Sequence, residues 1–238
     1  FFFSFFLIGL LSYLLYSITG SFVISYKIIP LTITIIETKN IIIATGSIPK
    51  RIPFEGNDLD IVHDSEDILS LKVFPKKMVV IGAGVIGCEM ATIFNHFDCE
   101  VTLVEYLDEI LPPLDKDIKK RAKNLFKRSG LDIYTKSALK KVIKKDGVYY
   151  AVIESKGKMI EIETDYVLLA TGRAPSFGNL DLDNLGIQHS NLGIKVNENF
   201  ETSVKGIYAI GDVTGILMLA HKATYDGYKV VSKLLGEE

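Results

Sequence analysis

The sequence has 238 residues and a mass of 26.5 kDa, which allows one or two ordinary domains. Hydrophobic residues make up 48% and charged residues 24%, so the composition is that of a globular rather than a disordered chain. The net charge of -2 argues against a nucleic-acid binder driven by phosphate neutralisation and against a polybasic membrane-surface protein, and two cysteines are too few for a disulfide-rich secreted scaffold.

The first 26 residues contain no Asp, Glu, Lys, Arg or His. A stretch of this length and apolarity is long enough for a membrane-spanning helix, whereas a signal peptide would need a basic start that is missing. A third interpretation is translated non-coding sequence joined to a genuine domain. The chain begins with Phe rather than Met, which indicates a fragment, a processed product or a faulty gene model. Residues 1–30 are therefore set apart as an apolar segment of uncertain origin.

From residue 31 onward the pattern changes to alternating and then continuous apolar runs, which are typical of strands. The predicted elements that follow are strand 78–81, helix 85–97, strand 100–104, helix 115–129, strand 132–135, strands 142–144, 148–154 and 158–163, strand 166–170, and a helix from 218 to about 235. A hairpin turn is predicted at Asp146-Gly147. This order predicts a doubly wound α/β nucleotide-binding domain with a small antiparallel excursion.

The segment IGAGVIGCE contains the pattern Gly82-x-Gly84-x-x-Gly87 between a predicted strand and a predicted helix. In that context Gly82 permits a tight turn, Gly84 lets the backbone approach a pyrophosphate, and Gly87 lets helix and strand pack closely. The helix N-terminus then offers N–H groups to the phosphates. The alternative is a glycine turn between packed elements that binds no ligand.

An acidic partner for this loop is Glu105, which ends the second strand 18 positions after Gly87. A carboxylate there can accept hydrogen bonds from both ribose hydroxyls and would repel a 2′-phosphate. No Arg lies between residues 106 and 117. The pattern therefore predicts NAD rather than NADP as the nucleotide.

Two matching tetrapeptides, ATGS at 44–47 and ATGR at 170–173, each follow an apolar strand. Because the predicted dinucleotide fold lies between them, they indicate crossing points between one domain and another inserted into it. A third signal is Asp212, which follows a strand and Gly211. Asp212 can hold a ribityl or ribose hydroxyl, although a turn or helix cap is the simpler interpretation of an aspartate in this place.

Six segments in chain order carry a family resemblance: IIIATGS, VVIGAGVIGCE, VEYLDEILPPLD, VLLATGRAP, IYAIGDV and MLAHKA. Together they resemble the flavin-dependent pyridine nucleotide–disulfide oxidoreductases over about residues 33–235. The resemblance implies a Rossmann-like NAD-binding domain, residues 71–173, inserted into a partial FAD-binding domain, residues 31–70 and 174–238.

The resemblance also implies an activity, in which electrons pass from dihydrolipoyl groups of α-keto acid dehydrogenase complexes, through FAD, to NAD. It implies lipoyl-bearing subunits as partners, a homodimer in the full-length parent, and a location in the mitochondrial matrix or a plastid. Membrane anchoring through residues 1–26 is the alternative location. The rival functions are another family member, of the NADH oxidase or mercuric reductase type, and a noncatalytic NAD-binding remnant.

The resemblance assigns residues of this chain to both cofactors. For NAD they are Gly82, Ala83, Gly84, Val85, Ile86, Gly87, Cys88, Glu89, Glu105, Ser137 and Gly172. For FAD they are Thr45, Gly46, Ser47, Asp212, Met218, Leu219, Ala220 and His221. Within these sets, Ser137 matches an adenine-side contact and Glu89 matches a carboxylate that lies beside the flavin.

Three parts of the family pattern are not found in the sequence: the first FAD-binding glycine loop, the redox-active cysteine pair, and the C-terminal dimerisation domain with its His–Glu pair. Cys88 and Cys99 are not expected to replace that pair, because one helix joining them would hold them about 16 Å apart. We therefore expect both to be small core residues and the chain alone to be catalytically inactive.

The remaining polar features have simpler interpretations. His63, His96 and His189 have no partner at ligand spacing, so the sequence predicts no metal site. The charge run at residues 116–127 is predicted to be a solvated helix face.

Overall fold

The computed structural model describes residues 12–16, 22–28 and 32–237, with side chains from residue 37 onward. Its strands are β1 (Ser12–Tyr16), β2 (Phe22–Ile28), β3 (Thr32–Thr38), β4 (Ile41–Ile43), β5 (Ser47–Pro49), β6 (Val62–Asp64), β7 (Lys77–Ile81), β8 (Glu100–Val104), β9 (Asp132–Tyr134), β10 (Ser137–Lys145), β11 (Val148–Ser155), β12 (Lys158–Glu163), β13 (Tyr166–Leu169), β14 (Arg173–Pro175), β15 (His189–Ser190), β16 (Gly193–Ile194) and β17 (Ile207–Ala209). Its α-helices are α1 (Val85–His96), α2 (Lys116–Arg128) and α3 (Ala220–Leu235). Among these described residues, no helix combines the length and the apolarity needed to cross a membrane.

The chain divides into two compact units. The continuous unit comprises residues 49–173, and the other combines the described residues up to 48 with those from 174 onward. The first division thus lies at 48/49, whereas the sequence predicts it at 70/71. The reason is that β6, at residues 62–64, pairs with β13 inside the continuous unit.

A five-stranded parallel sheet, in the order β6-β13-β7-β8-β9, forms the centre of the continuous unit. Successive residues of β7 point to opposite faces of this sheet, and both faces are buried. Met78 and Val80 pack with Ala91 and Phe94 of α1. Val79, on the other face, packs against the antiparallel sheet β10-β11-β12. The predicted α/β class with an antiparallel excursion is confirmed.

Helix α2 differs from its prediction in the residues that it buries. The sequence predicts an apolar face that includes Ile118, Ala122, Leu125 and Phe126. Ala122 and Phe126 pack against the core, but Ile118 and Leu125 are 52% and 54% exposed. The helix touches the core along a narrower stripe than its apolar residues could cover.

The residues outside 49–173 contain a parallel pair, β4 and β17, whose register joins Ile41 to Ile207 and Ile43 to Ala209. These four residues are buried, together with Ile194 of β16. Because parallel strands have their carboxyl ends at the same edge, the loops after β4 and β17 emerge side by side.

The segment considered for a spanning helix includes two described strands. β1, β2 and β3 form an antiparallel sheet, in which β2 pairs with β3 from Phe22↔Thr38 to Ile28↔Thr32. The sequences SYLLY and FVISYKI are rich in the aromatic and β-branched residues that favour strands. The boundary expected at 30/31 therefore falls between two strands that pair with each other, β2 and β3, and the rest of residues 1–26 lies outside the described residues.

Candidate functional site

The glycine-rich loop lies at the point where the strand order of the parallel sheet reverses. Gly82 follows β7 and Ala170 follows the neighbouring strand β13. Gly82 has a φ of +102°, and its N–H donates to the carbonyl oxygen of Val104 at 2.8 Å. A Cβ at Gly82 would lie 2.4 Å from the Ala170 carbonyl oxygen, so the turn has no room for a side chain. This position is where α/β sheets commonly bind nucleotides.

Gly87 provides the close packing of helix against strand that the sequence predicts. A Cβ at Gly87 would lie 1.9 Å from the Gly82 carbonyl oxygen and 3.2 Å from the Ala170 Cβ. Helix α1 can approach the strand ends this closely only because residue 87 lacks a side chain. Ala170, the first residue of the second ATG segment, thus packs against both Gly82 and Gly87.

Gly84 is the N-cap of α1 and faces open space. It has an ordinary negative φ, -72°, and no described atom lies within 4 Å of where its Cβ would be. Among the described residues, no side chain caps the helix, so the backbone N–H groups of the first turn are available to an anion. Val85 is exposed and Ile86 is half-buried, whereas Gly87 and Cys88 are buried.

Glu105 follows β8 beside this loop and is 7% exposed. Its Oε2 accepts the Ala83 N–H at 2.6 Å, and its Oε1 accepts the Leu107 N–H at 2.8 Å. The Ala83 carbonyl in turn accepts the Leu111 N–H at 2.7 Å. Ala83 is therefore held on both sides by the segment 105–111, and each carboxylate oxygen keeps a lone pair for a ribose hydroxyl.

The way in which the segment 105–111 folds against the glycine loop was not predicted from the sequence. Glu105 itself was identified from its spacing to the glycines, but no periodicity or turn signal indicates that residues 106–111 fold back onto the glycine loop. In the structure Leu111 has a φ of +50° and is 9% exposed, neither of which the sequence indicates. A buried leucine in the left-handed region indicates a loop held in place by tertiary contacts.

The other residues assigned to NAD differ in burial. Ser137 is 2% exposed, and its hydroxyl is engaged with Ser155 Oγ at 2.8 Å. The structure therefore does not support a direct contact between the Ser137 hydroxyl and an adenine. Ser137 is nevertheless next to the site, because its backbone N–H donates to the Glu105 carbonyl at 2.9 Å. Gly172 has a φ of +103° with open space around it, and Glu89 is exposed on α1.

The residues assigned to FAD outside the continuous unit converge at the ends of β4 and β17. Ser47 Oγ lies 2.5 Å from Asp212 Oδ2, across 165 positions of sequence. The carbonyl of Gly46, a residue with a φ of +72°, accepts the Ser176 N–H at 2.9 Å, and Thr45 Oγ1 donates to the Ser176 carbonyl. The structure thus brings together the first ATG segment and the predicted ribityl-binding aspartate.

The apolar segment before α3 forms the start of that helix. Leu219 is the N-cap, and no side chain among the described residues caps the helix. Ala220 and His221 open the first turn and are exposed, while Met218 is half-buried. The region therefore presents backbone N–H groups, as the resemblance implies for a segment that faces a flavin.

The two cysteines are buried and free. Burial, reinforced by the Glu105 carboxylate, raises the pKa of the Cys88 thiol to about 12, and burial likewise raises the pKa of Cys99 to about 12. Helix α1 ends at His96, so the expectation that one helix joins Cys88 to Cys99 is wrong. Among the described residues, no group of His, Cys, Asp and Glu side chains is arranged to hold a metal ion.

The chain matches the family described as pyridine nucleotide-disulphide oxidoreductase over residues 32–227. It is 42% identical over 205 residues to dihydrolipoyl dehydrogenase of Acholeplasma laidlawii, covering 84% of this chain and 59% of that protein. It is also 42% identical over 207 residues to mitochondrial dihydrolipoyl dehydrogenase of Pisum sativum, covering 86% of this chain and 41% of that protein. The chain therefore spans about half the length of these relatives.

Among solved structures, the chain is similar to an HOCl-induced flavoprotein disulfide reductase from Escherichia coli. The TM-score is 0.81 at 28% sequence identity, covering 92% of this chain and 48% of that one. At this coverage the likeness extends into both units of the chain.

Proposed function

Because the chain belongs to the pyridine nucleotide-disulphide oxidoreductase family, we propose that it binds NAD at the glycine loop and supplies part of the FAD site of a dihydrolipoyl dehydrogenase. Members of this family use FAD and a pyridine nucleotide. The substrate assignment is supported by the 42% identity to two proteins of that name. The main support for the proposal is that the uncapped N-terminus of α1 lies next to the Glu105 carboxylate, which is held by the Ala83 and Leu107 N–H groups.

The residues of the loop fit a dinucleotide by their shape and by their free hydrogen-bonding capacity. The open space at Gly84 admits a pyrophosphate to the N–H groups of α1, where the helix dipole favours negative charge. Glu105 would accept hydrogen bonds from the ribose hydroxyls. Its hydrogen bond from the Ala83 N–H fixes the conformation of the loop before the nucleotide binds. Such pre-organisation reduces the entropy cost of binding.

The Ser47–Asp212 pair fits the sugar-like chain of a flavin. A carboxylate that already accepts one hydroxyl at 2.5 Å still has lone pairs for a ribityl hydroxyl, and Ser47 restricts its orientation. A flavin held by Ser47 and Asp212 would supply two-electron chemistry between a dithiol and the nicotinamide. In this scheme the residues of the chain bind and orient the cofactors, and none of the assigned residues acts as an acid or a base.

Partners and location form the outer part of the proposal. The lipoyl-bearing subunits of α-keto acid dehydrogenase complexes and a second copy of the full-length parent are the proposed partners. The proposed location is the mitochondrial matrix or a plastid; a mitochondrial relative supports an organelle, although a bacterial relative has the same identity. Fractionation of the source cells, with an antibody raised to this chain, would test the location.

The first prediction concerns the choice of nucleotide. The chain is expected to bind NADH at least about tenfold more tightly than NADPH, because a 2′-phosphate would lie against the Glu105 carboxylate. In Glu105→Gln the ratio of the affinities for NADH and NADPH is expected to decrease. The affinity for NADH itself is expected to fall about tenfold, because charge-assisted hydrogen bonds are lost. Fluorescence titration of both nucleotides measures these affinities.

The matched control is Glu109→Gln, which removes an exposed carboxylate from the same loop. It is expected to leave both affinities unchanged, and thermal melts of both variants would separate loss of binding from loss of fold. Equal affinity of the unmodified chain for NADH and NADPH would contradict the role assigned to Glu105.

The second prediction concerns the flavin. The purified 238-residue chain is expected to retain well below one FAD per chain, because Ser47 and Asp212 are proposed to contact only the ribityl chain of the cofactor. The one glycine loop of the GxGxxG type in the sequence is assigned to NAD. Absorbance of the flavin in the visible range measures what is retained after purification in added FAD. A stoichiometric yellow protein would show that another segment of the chain binds the adenine half.

A further inference from the structure

Helix α2 concentrates positive charge that the overall composition conceals. Its thirteen residues include seven cations, Lys116, Lys119, Lys120, Arg121, Lys123, Lys127 and Arg128. The single acid on the helix is Asp117, and Asp115 precedes it as the N-cap. The whole chain has a net charge of -2, so α2 is far from representative of the molecule.

The cations of α2 are available to an external partner. Five of them are exposed: Lys116, Lys120, Arg121, Lys127 and Arg128. Within residues 37–237, none of the ion pairs involves a cation of α2, although lysines elsewhere, such as Lys140 and Lys145, pair with glutamates at 2.6 Å. A set of cations that the fold itself does not neutralise keeps its full attraction for an outside anion.

Two aliphatic side chains, Ile118 and Leu125, lie three and four residues from Arg121 and therefore on the same side of the helix. Ile118 and Leu125 are more than half exposed, and their spacing of seven residues places them about 10 Å apart along one side of the helix. Ala122 and Phe126, on the adjoining stripe, pack into the core. The exposed side of α2 next to that stripe is therefore both basic and apolar, which is the character of helices that lie in a lipid interface.

We propose that the exposed side of α2 docks the protein on an anionic lipid surface. This side is shallow and open, with a hollow of about 320 Å³ that is lined by Asp117, Lys120, Arg121, Asn124, Leu125 and Arg128. A shallow surface suits a flat partner, whereas an acidic peptide would need a groove to bury its side chains. Nucleic acid would use the cations but leave Ile118 and Leu125 without a contact.

Docking of this kind follows from local rather than overall charge. Attraction to a charged lipid surface falls off within about one Debye length, roughly 8–10 Å, so only cations near the lipid contribute to it. The long stems of Lys and Arg can lie along the acyl boundary while their charged ends reach the headgroups. The net charge that argued against a polybasic membrane-surface protein therefore does not bear on this one side of one helix.

Co-sedimentation of the full 238-residue chain with lipid vesicles tests the proposal. The probe is phosphatidylcholine containing about 30% phosphatidylserine, with pure phosphatidylcholine as the neutral comparison. The charge variant carries the four substitutions Lys120→Gln, Arg121→Gln, Lys127→Gln and Arg128→Gln. The control carries four substitutions at exposed lysines that make no described ion pair, Lys72→Gln, Lys158→Gln, Lys195→Gln and Lys205→Gln.

The unmodified chain and the control are expected to bind the anionic vesicles equally, and the charge variant at least about tenfold more weakly. A variant with Ile118→Ser and Leu125→Ser is expected to lose part of the binding, and added salt should weaken whatever α2 contributes. Because all variants share residues 1–26, a difference between them reports on α2. Equal binding by the charge variant and the control, or tighter binding to polyglutamate or RNA than to the vesicles, would overturn the proposal. Circular dichroism melts confirm that each variant is folded.

Discussion

Replacing Gly87 by alanine is expected to lower the free energy of unfolding of the continuous unit by about 3 kcal/mol. The new Cβ would lie 1.9 Å from the Gly82 carbonyl oxygen, and a backbone atom in a tight turn cannot move away without displacing helix α1. NADH binding should be lost together with stability. Urea denaturation followed by circular dichroism measures the change.

Gly84→Ala is the matched comparison in the same loop. Gly84 has a negative φ and open space, so alanine should change the free energy of unfolding by less than about 1 kcal/mol. Its Cβ would nevertheless occupy the space proposed for the pyrophosphate, and NADH affinity should fall at least about tenfold. Wild-type stability in Gly87→Ala would refute the packing argument, and wild-type NADH affinity in Gly84→Ala would refute the proposed phosphate position.

The 238-residue chain by itself is expected to show no oxidation of dihydrolipoamide, which is the second large effect. Thiol exchange requires an accessible thiolate, and the thiols of Cys88 and Cys99 are buried with pKa values of about 12. At a pH of about 8, only about one such thiol in ten thousand would be ionised. The assay is NADH formation from dihydrolipoamide with FAD added, alongside the rate at which a thiol reagent labels the folded chain.

The same thiols make the stability of the chain depend on pH in the alkaline range. Because burial raises their pKa above the unfolded value of 9.0, their contribution is fully present below about pH 9 and is lost as the pH rises toward about 12. Cys88→Ala is expected to reduce that alkaline loss, as measured by urea midpoints across the range. Rapid labelling of the folded chain near neutral pH, or turnover abolished by mutating either cysteine, would contradict the assignment of both as core residues.

The elements around the glycine loop were predictable because their signals are local. Glycines at fixed spacing and apolar periodicity placed α1 and the parallel strands on either side of it within about one or two residues of the observed bounds. The strands β6, β15 and β16 were not predicted, since two or three residues cannot establish a period. β6 becomes a strand by pairing with β13, about a hundred positions later in the chain.

In the candidate site, too, the residues could be identified from the sequence, whereas the contacts between them could not. Glu105 was identified from its spacing to the glycines, but its bonds to Ala83 and Leu107 depend on how the segment 105–111 folds back. Ser47 and Asp212 were each assigned to FAD by resemblance to the family. Their direct hydrogen bond arises from the parallel pairing of β4 and β17, which joins distant parts of the chain.

The two ends of the continuous unit are fastened to each other by hydrogen bonds. The Lys50 N–H donates to the Gly172 carbonyl at 2.9 Å, and Thr171 Oγ1 donates to the Lys50 carbonyl. A segment whose entry and exit coincide can be grafted into a surface loop of an unrelated host through two short connections. It also lends itself to circular permutation, with residues 50 and 172 linked and new termini opened at the exposed Asp146-Gly147 turn. The proposed nucleotide site could in this way be carried from one scaffold to another as a single genetic unit.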